Sequence, residues 1–295
     1  MWRGLGTRRQ SLLAATTLPL LFAIAAAVLP GMAFAHTAET PITCGMTIST
    51  AGTFTLSSDL TCGDDGEIFI KSTTGPVTLD LEGHTLFDAI ISVPNFGAQI
   101  PITIEHGTIE AGFVTANSAG TGCAPLTLTH LTINDSPYNG VNVYGWCGLT
   151  ITGVVISNSA VNGLECENSA QTTISNSLIS GNATEGLNLT VDCHDATITN
   201  NTVTHNGDNG IAVYSSARTV ITQNLVTWNG GGVWIYGEGI DGPDFYLTYR
   251  VGGNTTIGNS AFGITAKFPV TDLGGNIARH NGGTPECVNV ACVPG

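Results

Sequence analysis

The sequence has few positively charged residues: 8 lysines and arginines, against 22 aspartates and glutamates among its 295 residues. Three of the eight, Arg3, Arg8 and Arg9, lie in the first 35 residues, which contain no acidic residue. Beyond residue 35, five basic residues face 22 acidic ones, a formal charge of −17. A nucleic acid is therefore not expected as a partner, because binding a phosphate backbone requires a high density of basic residues. A polyanionic sugar would also be repelled unless metal ions assisted it, whereas a neutral glycan would not.

Several signatures of known chemistry are missing as well. The sequence contains no phosphate-binding glycine loop, no nucleotide-binding fingerprint and no Ser-His-Asp order. It also has no Cys-x-x-Cys pair, which argues against a zinc-thiolate site. Function must therefore be inferred from the arrangement of ordinary polar and aromatic residues.

The first 35 residues have the pattern of an export signal. A basic start precedes an apolar run over residues 11–30, and Ala33-Phe34-Ala35 matches the small-x-small cleavage pattern. Residues 7–13 also resemble a twin-arginine signal, so either the general or the twin-arginine route is open. We predict a mature chain that is secreted, periplasmic or on the cell surface, with no membrane contact once the signal is cleaved; a retained membrane anchor is the alternative.

The clearest positive feature is a repeat. Glycines recur at Gly140, Gly163, Gly186, Gly210 and Gly232, with steps of 23, 23, 24 and 22 residues, and each begins a block in which every second residue is apolar. Alternation with period 2 predicts short strands, and self-similarity over about 20 to 50 residues predicts a solenoid. A second series of aliphatic residues runs in phase with the glycines: Leu81, Ile104, Leu128, Ile151, Ile174, Ile198 and Ile221.

Asparagines also recur at fixed positions in the repeat. Asparagine tolerates left-handed turns, and its amide both donates and accepts hydrogen bonds, so copies on successive coils can form a ladder. We predict two such columns. One contains Asn182, Asn206, Asn229, Asn259 and Asn281, preceded by Ser136 and Ser159, and the other contains Asn201, Asn224, Asn254 and Asn276.

The repeat resembles that of the right-handed parallel β-helix proteins, a broad group that includes pectate lyases, polygalacturonases, alginate lyases and alginate epimerases. The resemblance extends from about Cys44 to Cys292; residues 77–86 look like opening coils of that group and residues 275–283 like closing ones. It implies an all-β, single-domain right-handed parallel β-helix of nine to ten coils, stapled by disulfides. It does not fix an activity, since one fold carries many functions.

We divide the chain into a signal peptide (1–35), an N-terminal cap with the first coil (36–76), the β-helix coils (77–283) and a disulfide-closed C-terminal end (284–295). One step is irregular: Val251 follows Ile221 by 30 residues instead of 23. We predict that residues 237–244 fill this excess as a loop, and long loops in compact repeats are often functional.

Eight cysteines in an exported chain predict disulfide bonds. Cys123 and Cys147 are 24 residues apart, so their backbones should lie on neighbouring coils about 5 Å apart, within disulfide reach. Pairing in sequence order is the simplest assignment. It gives Cys44–Cys62, Cys123–Cys147, Cys166–Cys193 and Cys287–Cys292.

The outward residues of the first strand in each coil predict a binding face. Aromatic rings stack on sugar rings while amides and acids bind hydroxyls, so this composition is typical of a carbohydrate-binding groove. An ordinary solvated face, with tyrosine and tryptophan present for their strand propensity, is the alternative. The predicted substrate-binding residues are Asn142, Tyr144, Asn188, Tyr214, Arg218, Trp234 and Tyr236.

Glu165 and Glu167 are two residues apart on one predicted strand, so their carboxylates should lie about 7 Å apart on the same face. Such a pair could act as acid and base in inverting glycoside hydrolysis, or could bind Ca²⁺ together with Asp195. Two solvated glutamates are the alternative. No cofactor other than Ca²⁺ is predicted.

The turn Asp192-Cys193-His194-Asp195 looks like the Asp-Pro-His-Asp/Glu motif of alginate epimerases and related lyases. That resemblance implies that His194 is the catalytic base and Asp192 a positioning group, and the chemistry also needs a cation, for which Lys267 is a candidate. Cys193 replaces the proline of the motif, so a disulfide is an alternative reason for the turn. This coil also has one residue more than its neighbours between glycine and isoleucine, which could bulge the turn outward.

His84, His106 and His130 lie on three consecutive predicted coils, near Glu105, and could share a metal ion. However, the same turn position is occupied by asparagines further along the chain, which favours a structural role in the turn.

Taken as a whole, the sequence predicts an exported carbohydrate-active protein that binds a polysaccharide and acts on it as a lyase, hydrolase or epimerase. The alternative is a non-catalytic surface or scaffold rod that binds glycan or protein, and whether the chain is catalytic and oligomeric is left open. Convergence of Glu165, Asp192 and His194 beside an open groove would favour the enzyme, whereas burial of the turn at Cys193 would favour the rod.

Overall fold

The computed structural model describes residues 40–63, 66–71, 74–95, 100–118, 125–146, 148–237 and 249–294. Within these ranges the chain forms 31 β-strands, all paired in parallel, and no α-helix. The strands wind into a solenoid of about nine coils, which confirms the fold predicted from the repeat. The described part of the chain contains no helix long and apolar enough to cross a membrane.

The strands belong to two sheets. The first has 11 strands, roughly one per coil: β2 (Thr47–Ile48), β5 (Glu67–Ile70), β8 (Ile90–Asn95), β10 (Phe113–Ser118), β12 (Val141–Tyr144), β15 (Leu164–Glu167), β18 (Leu187–Thr190), β21 (Asn209–Tyr214), β24 (Gly231–Tyr236), β27 (Ile264–Ala266) and β30 (Cys287–Val288).

The second sheet has 20 strands and forms the rest of each coil: β1 (Thr40–Pro41), β3 (Gly52–Thr55), β4 (Leu60–Thr61), β6 (Val77–Asp80), β7 (Thr85–Phe87), β9 (Ile102–Glu110), β11 (Leu126–Asn134), β13 (Leu149–Thr152), β14 (Val155–Ser157), β16 (Thr173–Ser175), β17 (Leu178–Ser180), β19 (Thr197–Thr199), β20 (Thr202–Thr204), β22 (Val220–Thr222), β23 (Leu225–Thr227), β25 (Arg250–Gly252), β26 (Thr255–Ile257), β28 (Thr271–Gly274), β29 (Asn276–Arg279) and β31 (Cys292–Pro294).

The register of the coils follows the periodicity of the sequence. Ile151, Ile174, Ile198 and Ile221 are directly paired from coil to coil and are fully buried. Successive residues of a strand point to opposite sides of the sheet, so the apolar residues stack inside the solenoid and their neighbours face outward. The same register carries Ile221 onto Val251 across the long step, whose residues 238–248 lie outside the described ranges.

The asparagine ladders are present as predicted. In one, Asn201, Asn224, Asn254 and Asn276 are buried, and each Nδ2 donates to the Oδ1 of the next asparagine at 3.0–3.2 Å. In the other, five asparagines from Asn182 to Asn281 are linked in the same way at 2.8–3.0 Å. Most of these amides also donate to a backbone carbonyl of the preceding coil, such as Asn224 to Ile198 at 2.9 Å.

Sharp turns between strands are made by residues in the left-handed region. One column of such turns contains His106, His130, Asn176, Asn200 and Gln223, with φ between 50° and 58°. The two histidines therefore occupy the same turn position as the asparagines further along, as the sequence pattern indicates.

Three of the four predicted disulfides are present. Cys44–Cys62, Cys166–Cys193 and Cys287–Cys292 have Cα–Cα distances of 5.3, 6.0 and 6.2 Å. Cys166 points into the interior from β15, and Cys193 is buried in the turn of the next coil. Cys123, Cys147 and the predicted signal peptide lie outside the described residues.

Replacing Asn224 with alanine should lower the free energy of unfolding by about 3 kcal/mol. The change leaves the Asn201 backbone N–H and its Nδ2 without the acceptor Oδ1 of Asn224, and removes the Nδ2 hydrogen bonds to the Ile198 carbonyl and to Asn254 Oδ1. Urea unfolding followed by circular dichroism measures the loss. Asn117→Ala is the control, because Asn117 is exposed and its side chain is hydrogen-bonded to the neighbouring Thr115, at 3.3 Å. Equal effects of the two changes would contradict the ladder's role.

Candidate functional site

The outer face of the 11-stranded sheet carries two columns of side chains in register, as predicted. One runs through Asn142, Glu165, Asn188, Ala212, Trp234 and Thr265. The other pairs Tyr144, Glu167 and Thr190 from coil to coil, and further along it pairs Tyr214 with Tyr236. Ala212 differs from the expectation of an exposed position, since it is fully buried. Its methyl group lies between the larger side chains of Asn188 and Trp234 on the adjoining coils, which explains its burial.

An aromatic cluster occupies the C-terminal half of this face. The ring of Tyr214 lies 5.3 Å from that of Trp234 and 6.0 Å from that of Tyr236, in edge-to-face orientations. Trp234 also contacts Phe262, at 6.3 Å between ring centroids, and Lys267 Nζ lies 4.0 Å above the ring of Tyr236. The predicted residues Tyr214, Trp234, Tyr236 and Lys267 are therefore brought together.

The carboxylate of Glu165 lies between two coils beside this cluster. Asn188 Nδ2 donates to it at 2.9 Å and Thr190 Oγ1 at 3.1 Å, both from the following coil, and Asn162 Nδ2 donates from its own coil. Burial raises the pKa of Glu165, more than these three hydrogen bonds lower it, and the charge of Glu167 adds to the rise. Glu165 is therefore a carboxyl group suited to carrying a proton.

Two further acids surround this position, and the sequence analysis missed both. Burial raises the pKa of Glu185, with the charges of Asp208 and Glu165 adding to the effect. Burial, together with the charges of Glu185, Asp208 and Glu165, raises the pKa of Tyr214 to about 12. Glu165, Glu185, Asp208 and Tyr214 thus form one electrostatically coupled group, which we call the acidic cluster.

Glu185, Asp208 and Phe262 escaped notice because they precede the strands and fall outside the alternating pattern. The signal that could have found them is the coil register itself. The Thr184 N–H binds the Val161 carbonyl and the Asp208 N–H binds the Thr184 carbonyl, so these turns stack as regularly as the strands.

Glu167 lies on the same outer face as Glu165, as predicted, but Asp195 does not join them. Asp195 forms a two-point ion pair with Arg218, with Nε–Oδ1 at 2.5 Å and Nη2–Oδ2 at 2.8 Å. These hydrogen bonds from Arg218 lower the pKa of Asp195. The structure therefore does not assemble the Glu165, Glu167 and Asp195 set suggested for Ca²⁺, and it places Arg218 at the turn after the strands instead of on the binding face.

The turn from Asp192 to Asp195 contains the extra residue of its coil. Val191 and Asp192 are both in the left-handed region, with φ of 38° and 62°, and both are exposed. His194 Nδ1 lies 3.0 Å from the Asp192 carbonyl, and its Nε2 lies 3.7 Å from Asp195 Oδ2. Cys193 is fully buried in its disulfide, and no hydrogen bond or ion pair among the described residues joins Asp192 or His194 to Glu165.

The three histidines near Glu105 do not share one position. His106 and His130 stack with ring centroids 5.5 Å apart, whereas His84 pairs with Asp59 at 3.5 Å.

Comparison with known proteins agrees with the fold. A family model described as "Right handed beta helix region" matches residues 95–241. The chain is a right-handed parallel β-helix protein. A comparison of this β-helix protein with curated proteins gives no match.

Two solved structures are similar to this β-helix protein in fold. The A-module of the mannuronan C-5 epimerase AlgE4 of Azotobacter vinelandii is 15% identical, with 84% of this chain and 89% of that chain covered and a TM-score of 0.50. The pectate lyase Pel9A is 13% identical, with 75% and 70% covered and a TM-score of 0.52. At these identities the likeness concerns the fold alone.

The acidic cluster should be visible in titration. The Glu165 carboxyl is expected to titrate above the value of about 4.3 for an exposed glutamate. At pH values between the pKa of Glu165 in the unfolded chain and its higher pKa in the folded protein, the folded protein binds the proton more tightly. Glu165 therefore makes the free energy of unfolding fall as the pH rises through this range. The pKa of Glu165 is measured by following its Cδ signal with carbon-13 NMR as the pH changes. The signal is assigned by its absence from the spectrum of the E165Q variant.

The E165Q variant also provides the internal check on the coupling. Removing the charge of Glu165 should lower the pKa of Glu185, because the two carboxylates repel each other. A Glu165 midpoint at or below the usual value, or a Glu185 midpoint that E165Q leaves unchanged, would contradict the coupled cluster.

Proposed function

We propose that this β-helix protein binds a neutral polysaccharide along the outer face of the 11-stranded sheet and hydrolyses it there. The observation that carries the proposal is a carboxyl group of raised pKa, Glu165, on the same face as the aromatic cluster. Glycoside hydrolysis needs a general acid that holds its proton, and a stacking platform for sugar rings positions the substrate beside it.

Binding is assigned to the side chains in register across successive coils. Because the rings of Tyr214, Trp234 and Tyr236 meet edge to face, part of each ring surface faces away from its neighbours and is suited to the apolar face of a pyranose. Asn142 and Tyr144 extend the same columns toward the N-terminal coils, and Tyr144 is 47% exposed. Residues repeated about 4.8 Å apart along the solenoid suit an elongated ligand.

The charge of the face favours a neutral glycan. Glu185 lies within interaction distance of Asp208 and of Glu165, and all three acids lie within interaction distance of Tyr214. The nearby cations are engaged, Lys267 with Tyr236 and Arg218 with Asp195. A polymer bearing a carboxylate on each sugar would meet repulsion at this face, and β-elimination from such a polymer requires a neutralising cation.

We assign the chemistry to the two glutamates of β15. Glu165 donates its proton to the glycosidic oxygen as the bond to the anomeric carbon breaks, and Glu167 takes a proton from the water that attacks that carbon. Outward residues two apart on a strand are separated by about 7 Å, within the range of roughly 6.5–9.5 Å for inverting hydrolysis. Asp192 and His194, assigned by resemblance to an epimerase motif, have no part in this step.

A non-catalytic glycan-binding rod is the second candidate, and a specific observation favours it. The carboxylate of Glu165 accepts hydrogen bonds from Asn162, Asn188 and Thr190, which is also how a purely structural group would be held between coils. The buried Cys166–Cys193 disulfide next to the Asp192 turn supports the same interpretation.

An extracytoplasmic location accords with both candidates. Disulfide bonds persist in oxidising compartments and are rare in the cytosol, and the described residues contain three of them. The cleaved signal and its export route stay predictions, and so does any dependence on Ca²⁺.

Replacing Trp234 with alanine should weaken binding of a neutral polysaccharide about tenfold, because the main stacking surface is removed. Affinity electrophoresis or isothermal titration calorimetry against a panel of neutral glycans and alginate measures it. Trp228→Ala is the matched control, since Trp228 is 61% exposed at a turn of the 20-stranded sheet. Equal weakening by both changes, or tighter binding of alginate than of every neutral glycan, would contradict the proposed face and ligand.

Replacing Glu165 with glutamine should lower the rate of hydrolysis by a factor of about 10² to 10⁴ while binding is retained, because the general acid is lost. Reducing ends and unsaturated-uronate absorbance are followed in parallel, with and without Ca²⁺. Glu110→Gln is the control: Glu110 also accepts hydrogen bonds from an asparagine of the next coil, at 3.1 Å, but lies on the 20-stranded sheet.

Each outcome of this assay selects one mechanism. An increase in unsaturated-uronate absorbance would show that the glycan is cleaved by β-elimination and not by hydrolysis. If the unmodified protein binds the glycan but releases no reducing ends, the non-catalytic glycan-binding rod is the correct interpretation. If E165Q keeps full activity, Glu165 is not the general acid.

A further inference from the structure

Two carboxylates lie directly above one another on the 20-stranded sheet, away from the proposed glycan face. Asp80 at the end of β6 is in register with Glu105 of β9, and both side chains are half-buried on the outer side. The next positions of this column are the neutral residues Thr129 and Thr152. Like charges on directly opposed strand positions are destabilising, so this pair needs a positive partner.

His106 supplies an imidazole at the same place. Its left-handed backbone, with φ of 55°, lets the ring approach the preceding coil, where Nδ1 lies 3.4 Å from Asp80 Oδ2. The other oxygen of that carboxylate, Oδ1, accepts the Glu82 backbone N–H at 2.8 Å, which fixes its orientation.

The imidazole itself is held from the other side. His130 stacks on His106 with ring centroids 5.5 Å apart and planes inclined by 24°, and His130 Nδ1 is hydrogen-bonded to Thr129 Oγ1 at 2.9 Å. Such supporting contacts orient metal ligands and hold them in place. The site is therefore pre-formed by two coils and supported by a third.

The spacing of the three side chains allows them to share one metal ion. One ligand atom from each of Asp80, Glu105 and His106 lies within 4.8 Å of the other two, a grouping of three found once in the described part of the chain. Ligand atoms of a tetrahedral Zn²⁺ site, with bonds of about 2.0–2.1 Å, lie roughly 3.3 Å apart. The 3.4 Å between Nδ1 and Oδ2 is close to that value, and it exceeds the usual N–H···O distance of about 2.7–3.2 Å.

We propose that Asp80, Glu105 and His106 form a binding site for one divalent transition-metal ion of the Zn²⁺ class. One imidazole and two carboxylates are ligands that Zn²⁺ accepts, whereas Ca²⁺ and Mg²⁺ take oxygen ligands. The ion neutralises the stacked carboxylates and links β6 to β9. His106 is half exposed, so solvent completes the coordination.

Titration of the metal-stripped protein with ZnCl₂, followed by isothermal titration calorimetry, tests the site. We expect one saturable Zn²⁺ per chain, with the affinity lowered at least tenfold in H106Q and in E105Q. Zn²⁺ should also raise the melting temperature of the unmodified protein and not that of H106Q, because a ligand that binds the folded state stabilises it. H205Q is the matched control, since His205 also lies in a left-handed turn but its Nδ1 is bonded to Thr204 Oγ1, at 2.8 Å.

The result that overturns the proposal is equally definite. The proposal is wrong if the unmodified protein shows no saturable Zn²⁺ site, or if it binds Zn²⁺ with the same affinity as H106Q. A loss of Zn²⁺ affinity in H205Q would overturn the proposal as well. Tighter binding of Ca²⁺ than of Zn²⁺, unaffected by H106Q, would also overturn it. Should circular dichroism show that E105Q fails to fold, H106Q alone carries the test, because the His106 side chain is 50% exposed and its removal leaves the strands paired.

Discussion

The parallel hydrogen bonding of each coil to the next determines most of what this protein can present at its surface. From β11 to β24 the strands pair residue for residue with partners 22 to 24 positions away, as Glu165 does with Asn188, and the buried asparagines carry the same register through the turns. A one-residue slip would move every apolar side chain of a strand to the outside. Any outward side chain therefore has its neighbours fixed by simple counting along the chain.

This constraint makes the candidate sites composite. The carboxylate of Glu165 is bound by residues of its own coil and the next, and Tyr214, which feels its charge, belongs to the coil after that. The metal site is built in the same way from Asp80 on one coil and Glu105 and His106 on the following one. No single strand contains either site, so short local motifs are a poor guide to function in this fold.

That limitation explains which predictions from the sequence succeeded. The coil register and both asparagine ladders follow from counting, because backbone spacing alone decides them. The three observed disulfides follow from pairing the cysteines in sequence order. Glu185 and Asp208 were missed because turns have no alternating pattern, and the raised pKa values of Glu185 and Tyr214 depend mainly on burial, which a sequence does not give. Asp195 was assigned to a metal on chemical type, whereas its partner is Arg218, at the equivalent turn position one coil away.

The ladders have a direction that matters for the evolution of the chain. In each ladder one N–H of every amide but the last donates to the asparagine of the next coil toward the C-terminus, so the last amide needs a different acceptor. Carboxylates provide it: Asn281 donates to Glu286 at 2.9 Å and Asn276 to Asp272 at 3.3 Å. Coils could therefore be duplicated or deleted within the array without disturbing either end, whereas the acidic terminators would have to be kept, much as a helix keeps its caps.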